Sequence, residues 1–252
     1  RSVHASEIMQ HPTVSALASA RGSSNSSTLP PVRRRVERSQ LRATAHPVSW
    51  NQSQLLTVHL VGGATAAYNI PMAWWLVGPL DSRALRAALS AVIERNMVLR
   101  TTYETDADGG FTQWVRCTPE GDRLLREVSV QSEEAAESLM ATDASAEFEL
   151  LGEGAGVMRS TLVRVNSARH LLLINVHHVA FDGLSTDVLL DELGALYRAL
   201  SAGGTASDAA LSDLPLQYVD YALWQRGNEL APVLMTSCEY WRAQLHEGAL
   251  PV

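Results

Sequence analysis

The feature that most constrains this sequence is an apolar run, HLLLINVHHV, at positions 170–179. Successive side chains of a strand point to opposite faces, so a strand with one solvent-exposed face alternates apolar and polar residues. This run is instead apolar on both faces. It therefore predicts a strand inside a sheet that is covered on both sides.

Helical and strand patterns alternate around this run. Directly after it, LSTDVLLDELGALYRALSAGG carries a broad apolar stripe at helical spacing. Asp81 has the position of an N-cap for a helix over GPLDSRALRAALSAVIERN, and a further helix is predicted to begin near Ser132. Strands are predicted for FTQWVRC and for residues 160–165. The alternation from Pro47 onward predicts an α/β fold.

Composition excludes several classes of function. No run approaches the roughly 18 apolar residues of a membrane span, and the N-terminus lacks a secretory pattern, so we expect a cytoplasmic protein with no membrane partner. Cys117 and Cys238 are far apart and lack metal-ligand spacing, which argues against disulfides or zinc. All 20 basic residues are arginine, which excludes a Schiff-base or P-loop lysine on this chain.

Charge is distributed unevenly along the chain. The net charge is −7, yet residues 1–46 carry seven arginines against two glutamates, so this segment is +5 and the remainder −12. An acidic body argues against a nucleic-acid partner. Residues 21–46 are rich in Ser, Arg and Pro, which predicts a flexible linker. The twenty residues ahead of it are too few to bury a core alone.

The candidate chemistry lies in NVHHVAFDG, residues 175–183. His177 and His178 should point to opposite faces of a strand, so they cannot easily share a metal ion, and no metal site is expected. An imidazole at the end of a strand is well placed to act as a general base, although a lone buried histidine is more often a hydrogen-bonded core residue than a catalyst. Asp182 could pair with an arginine and hold the turn, and Gly183 would let backbone and substrate approach closely.

HHVAFDG resembles the HHxxxDG signature of nonribosomal peptide synthetase condensation domains, members of the chloramphenicol-acetyltransferase-like, CoA-dependent acyltransferase superfamily. Three other segments resemble blocks of this family in the same order. They are AAYNIPMAWWLVGPLDSRALRAALSAVIERNMVLRTTY, FELLGEGAGVMRSTLVRV and LPLQYVDYALWQR. The resemblance covers about residues 47–252. Ahead of it, HASEIMQHPTVSALA is similar to the closing helices of a phosphopantetheinyl carrier domain.

The resemblance implies a fold and a division of the chain. Residues 47–252 would form a two-layer α/β sandwich of the chloramphenicol-acetyltransferase-like fold, the N-terminal lobe of a normally two-lobed pseudo-dimer. Residues 1–20 would be the C-terminal tail of a carrier domain, and residues 21–46 the flexible linker between them. The chain stops before the motifs of the second lobe, so we expect half of the family's active-site tunnel.

The implied reaction is formation of an amide bond between a donor acyl or peptidyl thioester and the amine of an acceptor aminoacyl thioester. The resemblance assigns the catalytic imidazole to His178. We expect His177 to have a structural role. Asp182 and Gly183 would support the site, with Asp182 paired to Arg100, whose motif abuts the site in relatives. No cofactor would be bound directly. Phosphopantetheine arms of upstream and downstream carrier domains would deliver the substrates, next to an adenylation domain.

Departures from the family pattern leave alternatives open. The opening motif, SWNQSQLLTV, differs from the usual SxAQxRLWxL at Asn51, Gln54 and Leu56, and Asn96 stands where histidine is common. A heterocyclising relative would show aspartates in place of the histidines. The remaining alternatives are an epimerising relative, a stand-alone acyltransferase that uses acyl-CoA, and a noncatalytic carrier-docking module.

Aromatic residues form a second candidate site in the LPLQYVDYALWQR block. Tyr218, Asp220, Tyr221 and Trp224 could form a platform for substrate, but packing and helix capping are the favoured interpretation. The tryptophan pair at positions 74–75 is likewise interpreted as core.

Overall fold

Helices and strands alternate along the chain from His46 onward. A computed structural model describes residues 9–11, 13, 16, 29–38, 40–63, 65–152 and 154–245, and the larger compact unit is Val32–Asn228. Its helices are α1 (Trp50–Gly62), α2 (Ser82–Arg95), α3 (Glu133–Ser145), α4 (Gly183–Ser201) and α5 (Tyr218–Gln225). Its strands are β1 (His46–Pro47), β2 (Asn69–Val77), β3 (Thr101–Thr105), β4 (Phe111–Val115), β5 (Arg126–Ser129), β6 (Met158–Asn166) and β7 (Arg169–His177). A sixth helix, α6 (Ala231–Gln244), lies in a separate unit.

Two helix starts are fixed by polar side chains, as the sequence predicted. The Asp81 carboxylate accepts the backbone N–H groups of Arg83 and Ala84, both at 3.0 Å, and α2 begins at the next residue. The Ser132 hydroxyl accepts the N–H of Ala135 at 3.3 Å at the start of α3. Both caps satisfy N–H groups that a helix cannot bond internally.

The larger sheet has the strand order β2-β7-β6-β5 and places β7 in its interior. β7 runs antiparallel to both neighbours, while β5 and β6 are parallel. Leu172 and Ile174 pack with residues of α2 and α4, whereas Leu171 and Leu173 pack on the other face with Ala136 of α3. The prediction of a strand covered on both faces is confirmed.

A second, smaller core lies beneath the end of β7. The three-stranded sheet β1-β4-β3 contributes Tyr103, which is fully buried. Its ring lies in a cluster with Phe148, Val157 and Val179. Because Val179 follows directly after the two histidines, this cluster anchors the turn that leaves β7.

Polar side chains from three adjacent strands hold the C-terminal end of α3. Asn69 of β2, Asn175 of β7 and Arg159 of β6 donate hydrogen bonds of 2.8–3.0 Å to backbone carbonyls within residues 143–147. Asp143 and Ala144 lie in the last turn of α3, where carbonyls lack the N–H partner of a continuing helix, and Ala146 and Glu147 follow directly. The arginine also complements the negative end of the helix dipole. α3 is therefore tied to the sheet at the strands that lead to the histidines.

The compact unit begins earlier than the predicted lobe boundary at residue 47. Leu41 is only 1% exposed and packs with Met97, Val115 and Val219, with Val36 against the same cluster. The second half of the predicted linker thus packs on the lobe. The predicted carrier tail, residues 1–20, and residues 21–28 lie almost entirely outside the described residues.

Candidate active site

The backbone at the end of β7 is fixed from two sides. The N–H of His177 donates to the carbonyl of Val157, and the N–H of His178 donates to the carbonyl of Tyr68, both at 2.8 Å. The N–H of Ala180 then donates to the carbonyl of His177 at 3.0 Å, which closes a turn. The two imidazoles are therefore carried by hydrogen-bonded backbone on a sheet.

His177 points into the protein. Its ring is buried, and its Nδ1 accepts the N–H of Val179 at 3.1 Å. The rings of Tyr68 and Phe148 lie 6.1 and 6.0 Å from it, centroid to centroid. Burial lowers the pKa of His177 to about 4, with smaller contributions from His59 and His178. Its geometry is that of a neutral imidazole that holds the turn.

His178 points the other way, as predicted for neighbours on a strand. It is exposed, and no hydrogen bond from its imidazole occurs within the described part of the chain. Both ring nitrogens are therefore open to an incoming group. An exposed imidazole held by a fixed backbone is well placed to contact a substrate and to exchange a proton with it.

Asp182 is the N-cap of α4. Its carboxylate accepts both the N–H and the hydroxyl of Ser185, at 2.9 and 2.6 Å, while its own N–H donates to that hydroxyl at 3.3 Å. The pKa of Asp182 is lowered, chiefly by the hydrogen bond from the Ser185 hydroxyl, and a positive charge on His178 adds to this effect. An ionised carboxylate thus lies in the electrostatic neighbourhood of the exposed imidazole.

The predicted ion pair between Asp182 and Arg100 is wrong. Asp182 is exposed, so it is not a buried acid in need of a partner, and its carboxylate is occupied by the cap. Arg100 is buried and donates to the carbonyl of Ile93 at 3.2 Å, to the carboxylate of Glu94 at 3.3 Å, and to the carbonyl of Arg116. Its guanidinium stabilises the end of α2 instead.

Gly183 is the first residue of α4. A Cβ placed there would meet no heavy atom within 4 Å, so open space lies beside the start of the helix. An apolar cavity of about 210 Å³ also opens next to Asp182, lined in part by Phe181, Leu184 and Val188. A larger cleft of about 1100 Å³ contains no residue of the HHVAFDG segment.

A buried hydrogen-bond network near this site was not anticipated from the sequence. Ser49 and Gln52 form a capping box at the start of α1. The Ser49 hydroxyl lies 3.0 Å from the hydroxyl of Tyr218, and Gln52 donates to the hydroxyl of Tyr103 at 3.1 Å. Burial raises the pKa of Tyr218, and the charge of Asp182 contributes to the shift. The sequence did contain a signal for this network, because Ser49 and Gln52 match the family's opening motif.

The LPLQYVDYALWQR block clamps the start of α1. Gln225 accepts the N–H of Trp50 at 2.7 Å, and Arg226 donates to the carbonyl of Val48 at 2.9 Å. The Arg226 guanidinium also lies 3.5 Å from the centroid of the Trp50 indole. This block therefore joins the opening motif to the lobe.

Other side chains of that block and of β2 take structural positions. Asp220 is buried and accepts the N–H of Gln217 at 2.9 Å, as helix capping requires. Trp74 packs against the main core, and Trp75 lies under the guanidinium of Arg169, 4.5 Å from the ring centroid. These contacts agree with capping for Asp220 and with packing for the tryptophan pair.

No helix in the described ranges is long and apolar enough to cross a membrane. Among the same residues, no group of three or more His, Cys, Asp or Glu side chains is arranged to hold a metal ion.

Residues 43–252 match the family described as Condensation domain. The match covers well over half of the chain, and the chain therefore belongs to the condensation domain family. The family indicated by the resemblance is confirmed.

The relatives are very large synthetases. The chain is 37% identical to a linear gramicidin synthase from Brevibacillus parabrevis, over 84% of its own length and 3% of the relative. It is 34% identical to the nonribosomal peptide synthetase kk1B of Curvularia clavata, over 99% of its own length and 2% of the relative. The chain thus spans only a few per cent of these relatives.

Solved structures confirm the fold class. The X-domain in a complex with OxyB from teicoplanin biosynthesis matches with a TM-score of 0.74 and 26% identity, over 87% of this chain and 46% of that one. The starter condensation domain of rhizomide synthetase RzmA matches in fold with a TM-score of 0.71 and 19% identity, over 82% of this chain and 49% of that one. The chain spans about half of each. It is one lobe of the chloramphenicol-acetyltransferase-like fold.

Proposed function

We propose that this chain is the N-terminal lobe of a condensation domain that forms an amide bond between two carrier-bound thioesters. The observation that carries the proposal is the placement of His178, an exposed imidazole whose backbone N–H is bonded to the carbonyl of Tyr68, in a chain of this family. A stand-alone acyltransferase is not favoured, since the two relatives at 34% and 37% identity are synthetases.

The chemistry needs one proton moved and two substrates aligned. The acceptor amine attacks the thioester carbonyl, an N–C bond forms, and the C–S bond breaks. His178 orients the amine and accepts its proton, which passes to the departing thiolate. His177 stays neutral and holds the turn, and the Asp182 carboxylate stabilises positive charge that develops on His178. The thioester is already activated, so much of the rate comes from alignment of the substrates.

The proposal also includes the neighbouring domains that deliver the two substrates. Phosphopantetheine arms of an upstream and a downstream carrier domain bring the two thioesters, and an adenylation domain lies next to them. Residues 1–20 are the closing part of the upstream carrier, joined through residues 21–46. The synthetase works in the cytoplasm.

The decisive variant is His178→Ala in a synthetase that carries this chain. Loss of a general base typically lowers the rate about 10²- to 10⁴-fold, so we expect product measured by mass spectrometry in single-turnover assays to fall by that factor. Because the side chain is exposed, the melting temperature should stay unchanged. Asp191→Ala, an exposed change further along α4, is the control and should retain activity. Undiminished product from His178→Ala would contradict the proposal.

A further inference from the structure

The arginine-rich segment ahead of the lobe is bound to it by its side chains. The guanidinium of Arg34 donates to the carbonyl of Pro215 at 3.4 Å, and that of Arg38 donates to the carbonyl of Leu214. Both carbonyls lie in the chain that leads into α5. A segment that the sequence predicts to be a solvated linker therefore binds to the surface formed by the chain ahead of α5.

The backbone of the same segment is also held. The N–H of Arg35 donates to the carboxylate of Asp220 at 2.8 Å, and the same carboxylate caps α5. The bond to a buried carboxylate is charge-assisted, and such bonds are stronger than bonds between neutral groups. Asp220 thus connects the arginine-rich segment to the helix that clamps α1.

Apolar contacts fix this segment at two further points. Val36 packs against the cluster of Met97, Val115 and Val219, and Leu41 lies inside that cluster at 1% exposure. The ion pair of Arg42 with Glu94 at 2.9 Å is about half exposed on each side and adds little. The fixed points run from residue 34 to residue 42.

We propose that residues 32–38 and 40–42, which we name the strap, fix the point at which the chain enters the lobe and thereby shorten the tether to the upstream carrier domain. This inference rests on the proposed function for the identity of the upstream domain. Without the strap, the tether would be residues 21–46, which span at most about 90 Å. With the strap bound, it is residues 21–31, which span at most about 40 Å.

The shorter tether raises the concentration of the donor at the tunnel. Effective concentration falls roughly as the −3/2 power of linker length once the linker can span its sites. Release of the strap, which lengthens the tether from eleven to 26 residues, should therefore lower it about threefold to fourfold.

Hydrogen–deuterium exchange on the 252-residue chain tests the strap directly. We expect the peptide that contains the Arg35 amide to exchange at least tenfold more slowly than in Val36→Asp, which places a charge against the apolar cluster. Val61→Asp, at a valine that is 82% exposed on α1, is the matched control and should leave the strap protected. Exchange of the wild-type strap at the rate of an unstructured peptide would overturn the inference.

A second measurement separates the strap from the proposed function. In a synthetase that carries the chain, donor is presented either on the fused upstream carrier or on a separate carrier. Val36→Asp should lower product about threefold to fourfold in the fused format and leave the separate format unchanged. An equal loss in both formats would assign the strap to folding and overturn its tether role. Absence of product from the wild type would refute the proposed function, while the exchange experiment would still decide whether the strap is bound.

Discussion

Acid should destabilise this lobe through His177. The ring is buried, and its pKa is lowered to about 4 from the ordinary value of 6.5, chiefly by burial. Between these two values the unfolded chain binds a proton that the folded chain does not. The free energy of unfolding therefore falls as the pH drops from 6.5 to 4. Above pH 6.5 the contribution of His177 is constant, and below pH 4 the loss is complete and does not grow further.

The magnitude follows from the two pKa values. Each unit of pKa difference corresponds to about 1.4 kcal/mol, so His177 alone should remove about 3 kcal/mol of the free energy of unfolding across the window. That is a large share of the roughly 5–15 kcal/mol typical of a domain. The protonated ring would also lose its bond from the Val179 N–H, since a protonated nitrogen cannot accept.

Urea unfolding followed by tryptophan fluorescence at pH 7, 6, 5 and 4 measures this effect. The comparison is His177→Asn, whose amide oxygen can accept the Val179 N–H but does not titrate in this range. We expect the wild type to lose about 3 kcal/mol more than the variant between pH 7 and pH 4. Parallel pH profiles for the two proteins would refute the assignment of a neutral, buried imidazole.

Two further predictions concern the hydrogen bonds around the site. Ser49→Ala and Tyr218→Phe should each destabilise the lobe, and because their hydroxyls lie 3.0 Å apart, a double-mutant cycle in urea should show a coupling of about 1 kcal/mol. Additive effects would show that the two hydroxyls are not bonded. Ser185→Ala should raise the pKa of Asp182, since the serine hydroxyl is the main cause of its lowering, and should weaken the start of α4. A carboxyl titration by NMR that shows the same pKa in both proteins would contradict this.

The elements predicted from sequence are those with strong local signals. β7 was predicted because its apolar run has no polar face, and α2 and α3 because Asp81 and Ser132 precede clear helical patterns. β2 was missed because Pro71 interrupts it. Among the described strands β2 pairs with β7 alone and so lies at the edge of its sheet, and an edge tolerates the missing N–H of a proline. α1 was missed because its buried stripe is narrow and partly polar.

The site was predictable where neighbours in sequence are neighbours in space. The opposite directions of His177 and His178 follow from the alternation of side chains along a strand. The partner of Arg100 does not follow from spacing, because several carboxylates and carbonyls compete for a guanidinium and only the fold decides among them. The arginine was expected to reach across to Asp182, and it stabilises the end of the helix just before it.

The hydrogen bonds between α3 and the sheet influence how this lobe unfolds. Asn69, Asn175 and Arg159 each hold the end of α3 from a different strand, and Asn175 lies two residues before His177. Undocking α3 would remove the hydrogen-bond partners of three polar side chains at once, so the helix should open only together with β2, β6 and β7. The histidines are thereby placed in a cooperative unit whose opening approaches global unfolding, and thermal fluctuations should rarely displace them.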